Sequence, residues 1–321
     1  MRTLDRRDIL RAGLLTVGGL ALPSLLGGCS KGGGGAKTLT RAASLREVFD
    51  ALAKEGGKQA VDAFLAGEDW VAGIPNHLGF GIVRKGSDPI VGKDARIWLA
   101  PSPDLSGKPI GPFTASWHGY SKPQEGGPKG INAADVTFDK DGVWTLLLDI
   151  RPDGSKPLLG VAAIQVKARD KASTKIPGQR AIPSETPTVK NSRGVNPICT
   201  REPACDMHDV TLKQALASGK PSVFIMATPK FCMSRTCGPN LEELIAVKRV
   251  AGDRAVFVHA EVYKDDKPET ISKFIASPAF KQWGFQSEPW LFVMDHNGTI
   301  VSRFEGPLTA SEIRAVLDPL L

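Results

Sequence analysis

Apolar and polar residues follow three different rhythms along this chain. Arg2, Arg6, Arg7 and Arg11 precede an uncharged apolar run over residues 12–28. From Ser44 the pattern is briefly helical. Ser44-Leu45-Arg46-Glu47 has the form of a capping box, and Val48, Leu52, Ala60, Val61 and Phe64 extend an apolar stripe broken at Gly56-Gly57. Short alternating or clustered apolar runs then dominate, at 77–83, 95–100, 134–138, 143–150 and 158–166. Turn signals such as Lys85-Gly86-Ser87-Asp88, Ser106-Gly107 and Asp141-Gly142 divide them. Strands of this length and spacing predict an antiparallel β-sandwich. Beyond residue 207 the rhythm changes again. A helix over 212–217, a strand over 222–227, a helix over 240–250 and a strand over 255–262 come first. A helix opening at Pro268 and running toward Trp283 follows, then a hairpin about Asn297-Gly298 and a final helix to 317 capped at Thr309-Ala310-Ser311-Glu312.

About 290 residues follow Gly28, too many for one ordinary core and enough for two. Residues 175–203, rich in Pro, Ser, Thr and charge, read as a linker. The expected organisation is a leader over 1–28, a tether over 29–43, and a helical lead-in with the sandwich over 44–174. A linker over 175–206 carries Cys199 and Cys205, and an α/β domain occupies 207–321. The run from Ala134-Asp135-Val136-Thr137-Phe138 to Gly142-Val143-Trp144-Thr145 resembles the paired late strands of an immunoglobulin-like domain. His77 and His118, single histidines beside aromatics, read as structural there.

The basic-then-apolar start has the pattern of an export signal, and its five glycines and Pro23 make it a poor membrane span. Leu26-Gly27-Gly28-Cys29 resembles the bacterial lipobox, which implies a lipid on Cys29 after cleavage. Asp5-Arg6-Arg7-Asp8-Ile9-Leu10-Arg11 resembles a twin-arginine signal, with Asp5 ahead of the arginines and Ile9 in place of the usual Phe. Ser30-Lys31-Gly32-Gly33-Gly34-Gly35 suits a flexible tether. The expected location is the extracytoplasmic face of a bacterial membrane, with the lipid as anchor. Removing residues 1–28 removes four arginines and two aspartates and lowers the formal charge from +7 to +5. With no run of five basic residues, no nucleic-acid partner is expected. Four cysteines then remain, an even number for an oxidising space. Of their three pairings, proximity favours Cys199–Cys205, as a structural bond closing a small loop, and Cys232–Cys237.

The second pair lies in Phe231-Cys232-Met233-Ser234-Arg235-Thr236-Cys237-Gly238-Pro239, between the end of a strand and the start of a helix. With the element order above and Ser287-Glu288-Pro289-Trp290 ahead of a later strand, this segment resembles the thioredoxin fold, over roughly 207–321. More narrowly it resembles thioredoxin-like lipoproteins of bacteria with a Cys-x4-Cys-Gly-Pro loop. The fold class expected is therefore an all-β immunoglobulin-like sandwich followed by an α/β thioredoxin-like domain. The resemblance places a cis-proline at Pro289 against the cysteines. It implies thiol–disulfide exchange through Cys232 and Cys237, without a cofactor, on cysteine-containing envelope proteins or a redox partner.

The family has two residues between its cysteines and this chain has four. Counting from the strand makes Cys232 the attacking thiol. Matching Cys-Gly-Pro makes Cys237 attack and puts Asn240 in the resolving position. In either register Cys237 adjoins a helix N-terminus, where its pKa is expected to fall. Glu288 is a candidate for moving protons, and Arg235 for favouring thiolate. A different class of function is copper delivery. Copper chaperones of this fold bind the metal through two loop cysteines and a distant histidine, which here would be Cys232 and Cys237 with His259 or His208. A non-catalytic adaptor with an inert Cys232–Cys237 bond is the third reading.

Overall fold

The structure is a computed structural model that describes residues 41–56, 58–59, 61–84, 89–152 and 156–321, the side chains of 58 and 59 excepted. The leader, the tether and Cys29 lie outside the described residues. Ser44 caps helix α1 (Leu45–Lys54) by accepting the Glu47 N–H, and Leu45, Val48 and Leu52 bury its apolar stripe. The helix stops at Gly56, which holds φ at 97°, a left-handed conformation glycine adopts without a Cβ clash.

The stripe expected through Val61 and Phe64 does not continue as a helix. Val61–Leu65 is strand β2, with burial alternating residue by residue, so Val61 and Phe64, three residues apart, fall on opposite faces, Val61 buried and Phe64 exposed. The other strands of this half are β1 (Lys58–Gln59), β3 (Pro75–Arg84), β4 (Pro89–Ile90), β5 (Ala95–Ala100), β6 (Ile110–Gly119), β7 (Gly130–Thr137), β8 (Gly142–Ile150) and β9 (Leu158–Val166). The sequence pattern does not single out β6, which contains Gly111, Pro112 and small polar residues and buries only Ala115 fully.

These strands pair in the order β1-β9-β8-β5-β6-β7-β3-β2, with β4 on β3. Because β1 and β2 adjoin in the chain yet pair with opposite ends of that order, the sheet nearly closes on itself. β6 turns a corner. Its first half pairs with β5 and its second with β7. Leu78, Phe80, Ile97, Phe138, Trp144, Leu146 and Leu148 fill the interior.

The second sheet has the order β11-β10-β12-β13, from β10 (Ser222–Met226), β11 (Val256–Ala260), β12 (Trp290–Met294) and β13 (Ile300–Glu305). β10 runs parallel to β11 and antiparallel to β12. The helices are α2 (Leu212–Leu216), α3 (Cys237–Ala251), α4 (Pro268–Ser272), α5 (Pro278–Trp283) and α6 (Ala310–Leu317). The single helix expected from Pro268 is thus two short ones. Phe274, at φ 49°, and Pro278 separate them. Strand alternation sorts the core into two layers. Val223, Ile225, Leu291 and Val293 face Leu241, Leu244 and Ile313 of α3 and α6. Phe224, Met226, Val258 and Phe292 face Phe280 and Trp283 of α5. Phe257 lies in the first layer and Val258 in the second, so His259 points to the layer of α3.

Residues 175–206 contain no helix or strand, as a linker should, but they are packed rather than free. Ile176, Ala181, Thr186 and Val195 are buried, and backbone bonds tie Gly178 and Gln179 to Ile300 and Asn196 to Lys264. The two sheets meet directly. Arg303 of β13 donates to the Asp69 carboxylate at 2.7 Å with both side chains buried. The Glu305 carboxylate accepts the backbone N–H of Glu68 and Asp69. At Gly306, φ 79°, a Cβ would run into the Ala66 carbonyl.

Candidate functional site: two cysteine pairs in one core

β10 ends at Met226 and the chain turns at Thr228, whose carbonyl accepts the Phe231 N–H. The next turn is closed by Arg235 N–H on the Cys232 carbonyl, and α3 begins at Cys237 itself, three residues earlier than its apolar pattern predicts. Cys232 Sγ therefore sits in front of the helix. The Cys237 N–H donates to it at 3.3 Å, and Ser234 Oγ lies 3.2 Å away, itself 2.8 Å from Thr236 Oγ1.

That surrounding separates the two thiols electrically. The Cys237 thiol, with help from Ser234 and the backbone N–H groups of Cys237 and Thr236, pulls Cys232 down to about 5 against the opposing effect of burial. Cys237 is fully buried, and burial followed by the nearby Cys232 pushes its thiol up. The expectation that Cys237 would be the acidified thiol is thus corrected. The helix N–H groups converge on the sulfur before the helix rather than on the sulfur inside its first turn. Asn240, the resolving position of the other register, is taken by structure. It donates to the Gly306 carbonyl at 2.8 Å and accepts from Tyr120 Oη at 3.2 Å.

The Glu288–Pro289 peptide is cis, and the Pro289 carbonyl accepts from Gly306 N–H. Glu288 is pushed up to about 7 by burial and then by Cys232, while the Met233 N–H on its carboxylate opposes the shift. It is therefore a half-buried carboxyl facing the reactive sulfur rather than a solvated side chain. Arg235 turns away. Its guanidinium donates to the Gly126 carbonyl at 2.9 Å, in the β6–β7 loop, and the main causes of the acidity of Cys232 are other groups. Met233 stands 89 % exposed at the tip of the loop.

The other pair is not bonded as expected. Cys199 and Cys205 are free, with sulfurs 3.8 Å apart, far from the about 2.04 Å of a disulfide. Two histidines explain the arrangement. Cys205 Sγ lies 3.3 Å from His208 Nε2 and 3.4 Å from His259 Nδ1, and Cys199 Sγ lies 3.8 Å from the same His259 nitrogen. All four side chains are buried. The His259 N–H donates to the Met207 carbonyl at 3.0 Å, so the segment 205–208 lies along the open edge of β11 and brings its cysteine to the strand histidine. Cys199 is drawn to lower pKa by Cys205 and both imidazoles, and Cys205 is driven up.

His208 and His259 thus join the pair Cys199/Cys205, not Cys232/Cys237. Among the described residues the only group of three or more His, Cys, Asp or Glu spaced to hold a metal is Cys199, Cys205, His208 and His259. The spacing Cys205-x-x-His208 is the available signal for this cluster; the sequence alone pairs Cys205 with Cys199 in a disulfide and offers His208 and His259 to the other two cysteines instead. A groove of about 600 Å³ runs beside both pairs, between Lys122, Arg201, Lys230 and Pro239.

No family model matches the chain, and no curated protein matches it. Among the solved structures that resemble part of it are three thiol–disulfide proteins. A DsbF homologue from Corynebacterium diphtheriae is 18 % identical over 36 % of this chain and 80 % of its own, at a TM-score of 0.29. A secreted thiol-disulfide isomerase from Corynebacterium glutamicum is 12 % identical over 35 % and 75 %, at 0.28. A thiol:disulfide interchange protein of the thioredoxin family from Chlorobium tepidum is 13 % identical over 46 % and 95 %, at 0.29. With TM-scores this far below 0.5, the chemistry of the site is argued from its own residues.

Proposed function

We propose that the chain is a thiol–disulfide oxidoreductase of thioredoxin-like type, with Cys232 as the attacking thiol and Cys237 as the resolving one. The supporting observation is the asymmetry of the pair. One sulfur collects hydrogen bonds in front of a helix and is a thiolate at neutral pH, while its partner is buried and protonated. Nucleophilic attack needs the thiolate.

The Cys232 thiolate attacks one sulfur of a partner disulfide. The partner's other sulfur leaves as thiolate, and a mixed disulfide forms. Cys237 then loses its proton to the Glu288 carboxylate and attacks Cys232 Sγ, which releases the partner's second thiol and leaves a Cys232–Cys237 disulfide. Two electrons pass from the protein's thiols to the partner's disulfide, and the reverse sequence oxidises a dithiol partner. The partners proposed are cysteine-containing proteins outside the cytoplasm. The lipid on Cys29 and the immunoglobulin-like character of the nine-stranded half are part of the same proposal, as an anchor and a partner-binding spacer.

Trapping in cells tests it. Cys237→Ser, which keeps the attacking thiol and removes the resolving one, should accumulate mixed-disulfide adducts, and Cys232→Ser should not. Adducts on Cys232→Ser alone would reverse the assignment, and none on either variant would overturn the activity.

A further inference from the structure

The cluster around Cys205 plays no part in that exchange, and its geometry is specific. Zinc bonded to sulfur at about 2.3 Å and to imidazole nitrogen at about 2.0–2.1 Å, with tetrahedral angles, holds two sulfurs about 3.8 Å apart and a sulfur and a nitrogen about 3.5 Å apart. The two sulfurs here are 3.8 Å apart, and three of the four sulfur–nitrogen separations are 3.3, 3.4 and 3.8 Å. All four donor atoms lie within 4.8 Å of one another. We infer that Cys199, Cys205, His208 and His259 form a closed, four-coordinate zinc site.

The neighbours fit a ligand set. His259 Nε2 lies 3.1 Å from the Ala227 carbonyl, so this nitrogen carries the proton and Nδ1 keeps its lone pair toward the sulfurs. The Cys205 N–H donates to Cys199 Sγ at 3.4 Å, a bond that favours thiolate. Charge selects the ion. Two thiolates with two neutral imidazoles carry −2, which a divalent cation cancels. Cu(I) would leave −1 among buried side chains. A closed set of four protein ligands is the structural rather than the catalytic form of a zinc site.

The site has a place in the proposed exchange, and this consequence rests on that reading. The Ala227 carbonyl that holds His259 is the last residue before the turn into the Cys232 loop. Thr200, next to Cys199, accepts the Lys230 N–H of that loop at 3.2 Å through its hydroxyl, and Arg201 is ion-paired with Glu242 of α3. Zinc would fix the floor on which Cys232 stands.

The test uses the full chain and needs no variant to begin. Purified protein should contain one zinc per chain by elemental analysis, and replacement by Co(II) should give the visible bands of a tetrahedral site with thiolate-to-metal charge transfer. Cys205→Ser and His259→Gln should lose the metal, while a Cys232→Ser/Cys237→Ser double variant should keep it. Three outcomes would overturn the inference: less than a tenth of a zinc per chain, a Cys199–Cys205 disulfide in the isolated protein, or octahedral Co(II) bands. Because the metal is read by content and spectrum, failure here leaves the exchange reading untouched, and failure of the trapping experiment leaves the zinc reading untouched.

Discussion

Cys199/Cys205 and Cys232/Cys237 are two pairs of close spacing, in one hydrophobic layer, with all four sulfurs buried or nearly so. Their chemistry nevertheless diverges, because different third parties face the sulfur. At the first pair two imidazoles converge on both thiols, and neither sulfur meets a helix start. At the second pair no histidine is within reach, and backbone N–H groups and a hydroxyl converge on Cys232 alone. Two imidazoles beside two sulfurs make a set of four ligands, whereas N–H groups and a hydroxyl aimed at one sulfur make a nucleophile and a reserve. Spacing along the chain carries little of this. The groups that decide it come from β11, from the segment 205–208 and from the first turn of α3.

The sharpest break of the comparison is alkylation as a function of pH. Cys232, at about 5, is more than nine-tenths thiolate at pH 7, whereas an ordinary thiol near 8.5 is on the order of 3 % ionised there. Its reaction with iodoacetamide should therefore rise with pH through about 5 and level off by pH 7, and it should vanish in Cys232→Ser. Cys199 and Cys205 should stay unlabelled on that timescale until a chelator is added. Mass spectrometry of labelled peptides reads both pairs in one sample. Labelling of all four thiols at one rate, with an inflection near 8.5, would dissolve the distinction.

Much of the frame was legible because buried strands declare themselves through runs such as 222–227 and 290–295, and because Asn297-Gly298 specifies its hairpin with φ 72° at Gly298. The position of the Cys232 loop followed from that frame. Three things did not follow. β2 was hidden because Val61 and Phe64, three residues apart, fit a helical spacing, whereas the strand puts them on opposite faces and leaves Phe64 exposed. The acidity of Cys232 depended on where α3 begins, and the apolar pattern places that start at Asn240 when backbone hydrogen bonding starts at Cys237. The histidine–cysteine cluster required knowing that residues 205–208 lie along β11, a pairing between segments about fifty residues apart that no local pattern encodes.

A smaller effect is expected from Glu288→Gln. The Glu288 carboxylate helps to raise the Cys237 thiol, and with Cys232 as thiolate its own titration lies at about 7. As a base it must be ionised. In the mixed disulfide the neutral Cys232 sulfur no longer raises it, so the resolving step should quicken as pH rises through a value below about 7 that burial still holds above the usual carboxylate range, and flatten above it. Glutamine cannot accept the proton. Resolution of a preformed mixed disulfide with a small thiol should slow on the order of 10²-fold and lose that rise, while alkylation of Cys232 keeps its rate at pH 7. Equal resolution rates in the two proteins would remove Glu288 from the mechanism and leave Cys237 to ionise unaided.

The smallest effect is expected at Arg235, where sequence and structure point in opposite directions. A guanidinium two residues before Cys237 would stabilise a neighbouring thiolate by charge if it faced one. Here it reaches across to the Gly126 carbonyl, in the half of the molecule built from the nine-stranded sheet. Arg235→Ala should leave the alkylation profile of Cys232 in place, with its inflection still at about 5. The residue also holds φ at 56°, a left-handed conformation that costs a side chain roughly 1 kcal/mol or more and costs glycine nothing. Arg235→Gly should therefore be more stable in urea than Arg235→Ala by about 1 kcal/mol, with both variants labelling Cys232 at the wild-type rate. If either variant moved the inflection upward toward 8.5, Arg235 would be acting on the sulfur, and the acidity of Cys232 would owe as much to a side-chain charge as to the N–H groups in front of α3.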